Sequence, residues 1–327
     1  MNHENQITFV QSLVPKFARE FNLELHDVEL LNIGFNVAFK ITTPEKSAYT
    51  LRININSIKQ PEELEAEAEW LERIRDLTDV NVPVPIRDTH GHSFSSLYVD
   101  AFERDVLSIA YPWIEGTIPS DDLTREDIFM LGRNMALLHN SSADWIPSRG
   151  RLSLINRPLM NSHNHYVTDY AAGVDEPLLQ MIHELMSECE EVHERLSLAS
   201  NLRPIHADLH LENVIRQPDG SQAIIDFDDC GIGFPLQDFA ISIFYLRDKP
   251  DLERHLFEGY ESVKAVPVFH QQDLELLLIS RQLLLLNDLL TITTAEEKEF
   301  IPKYLEYTRL RFEHYKETGK FKLLRTE

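Results

Sequence analysis

Apolar side chains recur along this chain with two different periods, and the switches between them mark out its elements. Between residues 8 and 22, Phe9, Leu13, Phe17 and Phe21 fall at helical spacing, which predicts an amphipathic helix. Three strand-like runs follow: Val28 to Ile33, Asn36 to Thr42, and Tyr49 to Ile53. Gly34 separates the first two, and Pro44-Glu45-Lys46-Ser47 turns the second into the third. Pro61 then opens a helix, ELEAEAEWLERIRDL. With Glu67 turned inward, Trp70, Leu71 and Ile74 follow at +3, +4 and +7 on one core face. Glu65 and Glu69 have poorer apolar company and read as surface residues.

Further on, Leu107 to Ala110 runs into Tyr111-Pro112-Trp113-Ile114-Glu115-Gly116, a strand that exits through aromatic, Pro and Gly residues. A Thr124-x-x-Asp127 box opens a helix reaching His139, with Met130, Leu131, Met135 and Leu138 as its buried face. His139 itself reads as a satisfied core histidine. The most apolar stretch, Leu274 to Leu290, is broken by Ser280, Arg281, Gln282, Asn287 and Asp288, so it predicts a core helix and not a bilayer span.

The candidate chemistry lies in IHADLHLENVIRQPDGSQAIIDFDDCG. Here His206 is followed by Asp208 two residues on, Asn213 five further, and Asp226 thirteen further. Gln217-Pro218-Asp219-Gly220 is a turn signal between two short apolar runs, which predicts a loop followed by a hairpin whose second strand delivers Asp226. Such spacing supplies a carboxylate for a substrate hydroxyl, then an amide and a carboxylate for Mg²⁺ on ATP. Asp228, one strand period beyond Asp226, is expected on the same face as a further metal ligand, and Asp229 on the other. The bland alternative is a solvated acidic loop, and it requires the spacing to be accidental.

Composition narrows the partners. The 327 residues suffice for two lobes with their own cores. Against 54 acidic residues stand only 31 basic ones, a net charge of −23, which argues against nucleic acid or an anionic membrane as partner. The same charge suits a cationic or neutral substrate, although solubility alone explains it as simply. Cys189 and Cys230 have no metal-ligand spacing and read as reduced thiols, and the N-terminal segment lacks the pattern of a signal peptide; both fit a cytoplasmic protein.

Taken together, HADLHLENVI, IIDFDDCGIGFPLQDFA, NIGFNVAFKI, YTLRI, EAEWLERI and YPWIEG resemble the aminoglycoside phosphotransferase and choline kinase superfamily of protein-kinase-like enzymes. The chain looks most similar to the bacterial branch of stress-response Ser/Thr kinases and type II homoserine kinases, over roughly residues 25 to 245. The resemblance implies an α+β, two-lobed fold: residues 1–115 as an antiparallel nucleotide-binding lobe with hinge, and 116–327 as a mostly helical catalytic and substrate lobe, with ATP in the cleft. It implies Asp208 as general base, and Asn213 with Asp226 on Mg²⁺. Arg52 would pair the phosphates, steadied by Glu67, while Gly34, Phe35, Asn36 and Val37 cover them. Tyr111 to Ile114, Trp113 included, would hold adenine through backbone groups. Asp238 would fix the catalytic loop without reacting.

Departures sharpen the expectation. Ala207 stands where protein kinases sense a phosphorylated loop with arginine, and only eleven residues separate Asp226 from Asp238. Both favour an always-assembled kinase for a small-molecule hydroxyl (aminoglycoside, homoserine or choline-like alcohol) over a switched protein kinase. Arg52 replaces the usual lysine, which keeps a Ser/Thr protein kinase or a weak pseudokinase binding module as alternatives. Asp226-Phe227-Asp228 also resembles the opening of haloacid-dehalogenase phosphatases, but it falls late in the chain, with Cys230 where those enzymes have Thr or Val. A metal hydrolase built on His206, Asp208 and His210 would require a strand there. Candidate acceptor contacts are His163, His165, Tyr166, Asp169 and Tyr170.

Overall fold

The computed structural model describes residues 3–34, 36–57, 59–119, 122–160, 162, 165–169, 174–291 and 295–326. They fall into two compact units. The first takes Met1–Thr117, Ile146–Leu152 and Ile215–Ile225; the second takes Ile118–Trp145, Ser153–Val214 and Asp226–Glu327. Two later segments therefore count with the first unit, where the sequence suggests a single cut after residue 115.

In the first unit, helix α1 (His3–Glu20) precedes strands β1 (Asp27–Ile33), β2 (Val37–Thr42) and β3 (Ala48–Ile53). Helix α2 (Pro61–Leu77), β4 (Ser95–Val99) and β5 (Arg104–Pro112) follow. The sheet order is β1-β2-β3-β5-β4, antiparallel throughout. Alternation explains the core: Val37, Phe39 and Ile41 are buried on one face of β2 and cluster with Val10, Leu13, Val14, Phe17 and Phe21 of α1. The helix starts five residues earlier than its apolar pattern suggests, and Phe9 is only partly buried, edge-on to Phe102 at 5.5 Å.

Helix α2 buries the predicted face of Trp70, Leu71 and Ile74, with Glu67 among them at 1% exposure. Glu65 and Glu69, however, are not idle surface residues. Glu65 accepts from the Ser93 amide at 2.8 Å and its hydroxyl at 3.0 Å. Glu69 accepts from the amides of Ser148 and Arg149, at 2.9 and 2.6 Å, and so ties segment Ile146–Leu152 to this unit. Sequence periodicity sees only apolar company, and these two carboxylates are spent on backbone amides far away in the chain.

The hairpin forms as its turn signal predicts, from β7 (Val214–Arg216) and β8 (Gln222–Ile224). The Gln217 amide donates to Ser221 O at 2.8 Å, and Gly220 takes the left-handed conformation the turn needs, φ 86°. Bridges from Arg216 to Thr117 and from Ala223 to Asn81 attach it to the first unit.

The second unit is helical. It contains α3 (Arg125–Ser141), α4 (Tyr166–Asp169), α5 (Glu176–Ala199), α6 (Leu236–Leu246), α7 (Pro250–Glu261), α8 (Gln271–Thr291) and α9 (Ala295–Thr318). A two-stranded ribbon of β6 (Arg203–Ile205) and β9 (Gly231–Gly233) joins them. The Thr124–Asp127 box caps α3 reciprocally, with bonds of 3.2 and 2.9 Å. Helices α3 and α7 approach so closely that a Cβ on Gly132 would lie 2.0 Å from Leu256 O, and one on Gly259 1.9 Å from Phe129 O. That approach brings His139 of α3 onto Tyr260 of α7, Nδ1 to hydroxyl at 3.0 Å. Helix α8 is buried almost all round, as its apolar run predicts, and among the described residues no helix is long and apolar enough to cross a membrane. Cys189 and Cys230 are buried and unbridged.

Candidate active site

The loop from His206 to Asn213 is held by one carboxylate. Asp238, in the first turn of α6 and fully buried, accepts from the His206 amide at 3.1 Å and the Ala207 amide at 2.7 Å. Its Oδ2 also meets His139 Nε2 at 2.9 Å. Burial keeps His139 neutral by lowering its pKa, although Asp238 opposes this. A neutral ring must then donate from Nε2 to Asp238 and accept from the Tyr260 hydroxyl at Nδ1. Ala207 sits at φ +66°, a conformation that costs an alanine roughly 1 kcal/mol or more and persists because Asp238 fixes its amide. From α6, the Ser242 hydroxyl holds Leu209 O at 2.5 Å.

Asp208 is thereby presented with its carboxylate already occupied. Oδ2 faces Asn213 Nδ2 at 3.0 Å and His210 Nε2 at 3.2 Å, and Oδ1 takes a short hydrogen bond from Arg281 Nη2 of α8. Burial pushes this carboxyl up; the His210 hydrogen bond and the Arg281 charge outweigh it and hold the pKa at about 2. The sequence reading gives neither His210 nor Arg281 a bond to Asp208: His210 enters it only as a metal-hydrolase ligand and Arg281 only as a break in an apolar run. A signal existed for Arg281, a guanidinium inside the most apolar helix of the chain, which must find an anion to be tolerated there.

Around the expected metal ligands the backbone differs from expectation. Strand β8 ends at Ile224, Asp226 lies at φ +60°, and Cys230 N closes a turn on Phe227 O at 3.0 Å. The strand-period argument that pairs Asp228 with Asp226 and sets Asp229 opposite does not apply, because no strand runs through these residues. Asp226 to Asp229 form an acidic turn instead. Asn213 donates Nδ2 to Asp208 O at 2.9 Å as well as to Oδ2, which turns its carbonyl oxygen the other way. Oxygen donors amid crowded negative charge fit Mg²⁺. Among the described residues no three His, Cys, Asp or Glu side chains form a metal cage by themselves; Mg²⁺ at phosphate sites needs only one or two carboxylates beside phosphate and water.

In the first unit, the β1–β2 hairpin closes through Gly34 N to Asn36 O at 2.9 Å, with Ile33 paired to Val37; Phe35 lies outside the described residues. A Cβ on Gly34 would meet nothing within 4 Å, so packing does not demand glycine there. Arg52 Nη2 reaches Glu67 Oε1 at 3.5 Å, so the structure brings together the two side chains that the resemblance pairs. Sequence reasoning missed two neighbours: Lys59 Nζ reaches Glu67 Oε2 at 3.4 Å, and the Tyr111 hydroxyl donates to Oε1 at 3.4 Å. Tyr111 thus contributes its side chain. The Trp113 amide is spent on Ala48 O at 3.0 Å while its ring carries Lys40 Nζ at 4.1 Å, so its N–H is not an adenine donor. Of the acceptor candidates, Tyr166 and Asp169 bound α4, while His163 and Tyr170 lie outside the described residues.

The clamped Asp–Asn loop, the acidic turn after the hairpin, and the strand cation paired to a helix glutamate all fall within one stretch of matched sequence. The chain belongs to the phosphotransferase enzyme family, whose sequence profile matches residues 27–270. Solved structures agree on the fold. The microcompartment-associated aminopropanol kinase superposes with a TM-score of 0.78 at 22% identity, covering 97% of this chain and 100% of that one. An amicoumacin kinase gives 0.69 at 16% identity over 94% and 93%, and a choline kinase from Streptococcus pneumoniae 0.57 at 15% over 91% and 98%. An uncharacterized protein of Synechocystis sp. is 24% identical over 81% of this chain and 70% of its own length.

Proposed function

We propose that the protein moves the γ-phosphoryl group of ATP, with Mg²⁺, to a hydroxyl of a small molecule. The observation that carries this reading is the Asn213–Asp208 bond: it aims one carboxamide oxygen away from the base, on the loop that also presents the base. In this reading Asp208 orients the acceptor hydroxyl. The hydroxyl oxygen forms a bond to the γ-phosphorus, the bond to the ADP oxygen breaks, and the hydroxyl proton passes to Asp208. A carboxylate held at about 2 is a weak base, which suits a proton transferred late, after the phosphoryl group has largely left ADP.

Asn213, Asp226 and Asp228 would hold Mg²⁺, which supplies charge neutralisation on the phosphates. Arg52 and Lys59, sharing Glu67, would pair the phosphates, and Gly34, Asn36 and Val37 would cover them. Adenine would rest against the backbone that leaves β5, with Ile114 in place of the engaged Trp113 amide. The acidic balance of the chain supports an acceptor that carries an amine, such as an amino alcohol, an aminoglycoside or a choline-like compound. A panel of aminopropanol, choline, spectinomycin, homoserine and a serine peptide, scored by ADP release with Mg-ATP, tests this. Turnover confined to the peptide would overturn the small-molecule reading, and turnover with none of them would overturn phosphotransfer itself.

A further inference from the structure

We propose that Arg281 is a positioning residue that sets which oxygen of Asp208 meets the acceptor: it occupies one side of Oδ1 and leaves the other for the incoming hydroxyl. The inference rests on the phosphotransfer reading above. It begins from the capacity of a carboxylate, which accepts in about four directions, two on each oxygen. On Oδ2 both are taken, by Asn213 Nδ2 at 3.0 Å and His210 Nε2 at 3.2 Å. On Oδ1 one is taken, by Arg281 Nη2. Among the described residues a single direction is left, and it lies on Oδ1.

The guanidinium is itself fixed. Its Nη2 also donates to the Tyr245 hydroxyl at 3.0 Å, and its carbon lies 5.7 Å from the Tyr245 ring. The same ring packs on His210 at 4.6 Å, so one tyrosine of α6 braces a donor on each oxygen of Asp208. Arg281 comes from α8, which is buried on nearly every side, and the residue is only 7% exposed. Such a donor set holds the carboxylate plane still, which is what alignment of a nucleophile within a few tenths of an ångström requires. Among the described residues of the loop none does this for Oδ1. The acceptor hydroxyl accordingly approaches Oδ1 on the side that Arg281 leaves open.

The test is a cycle of full-length variants assayed with Mg-ATP, with the best acceptor of the panel and with water alone as acceptor. Arg281→Ala is expected to lower kcat about 100-fold with KM for ATP within about twofold, and added guanidinium chloride at millimolar concentration should restore at least tenfold. In an Asp208→Asn background the same change should cost less than about threefold, because Arg281 acts through Asp208. Tyr245→Phe, which removes one hydroxyl and keeps the ring, should lower kcat about fivefold and serves should the alanine variant fold poorly. Unchanged kcat in Tyr245→Phe and Arg281→Ala overturns the inference, as does a full 100-fold loss for Arg281→Ala in the Asp208→Asn background. Those results leave phosphotransfer standing; a wild-type protein inert towards every acceptor removes both.

Discussion

The loop around Asp208 and the cation cluster around Glu67 serve one proposed reaction, yet they are built to different tolerances. In the first, Asp238, Asn213 and Arg281 make bonds of 3.1 Å or less and leave one acceptor direction on the base. In the second, Arg52, Lys59 and Tyr111 gather on Glu67 at 3.4 to 3.5 Å, beyond the usual range for a strong hydrogen bond. The difference teaches where alignment is needed. Phosphoryl transfer demands that the nucleophile be placed to within tenths of an ångström, while phosphate binding tolerates cations that shift with the ligand.

The steepest way to break the comparison is Asp208→Asn. Turnover should fall on the order of 10³-fold with ATP affinity nearly unchanged, read by steady-state kinetics beside nucleotide titration; retained turnover would remove Asp208 from the chemistry. Next comes Asp238→Ala, which strips the anchor from two amides and from His139. We expect about 3 to 5 kcal/mol of lost stability in denaturant unfolding, together with loss of activity. A mild effect on both would mean that Ser242 and packing suffice to hold the loop.

A smaller effect concerns pH. His193, buried and bonded through Nδ1–H to Cys189 O at 2.9 Å, has its pKa lowered by burial to about 4. A histidine whose folded pKa lies below its unfolded value binds more protons when unfolded. Stability should therefore fall as pH drops from about 6.5 to about 4, by up to about 3 kcal/mol, and His193→Phe should flatten that slope. Equal slopes in the two proteins would assign the acid sensitivity elsewhere. The mildest test sharpens the loose side: Lys59→Ala and Arg52→Ala should each raise KM for ATP about fivefold and leave kcat within about threefold. An effect of Arg52 alone would return Lys59 to a bystander.

Much of this protein was legible in one dimension. Helix, strand and turn signals placed α2, α8, the β1–β2–β3 meander and the β7–β8 hairpin, because burial on one face writes a period into the chain. The Asp208–Asn213 spacing was legible for the same local reason: five residues of one loop suffice to bring amide and carboxylate together. Glu67 was found through its apolar neighbours at +3, +4 and +7.

What failed was anything that depended on partners distant in sequence. Glu65 and Glu69 read as surface until Ser93, Ser148 and Arg149 met them. Lys59 lay in a stretch with no period to mark it, and Asp228 was assigned a face by a strand that ends at Ile224. The sequence by itself determined the elements, the family and the candidate base, since each is encoded in contiguous spacing. Only the tertiary structure decided what loads each oxygen of Asp208, because Arg281 reaches it from 73 residues away along the chain and is braced by Tyr245, and no local pattern records a side-chain contact across that distance.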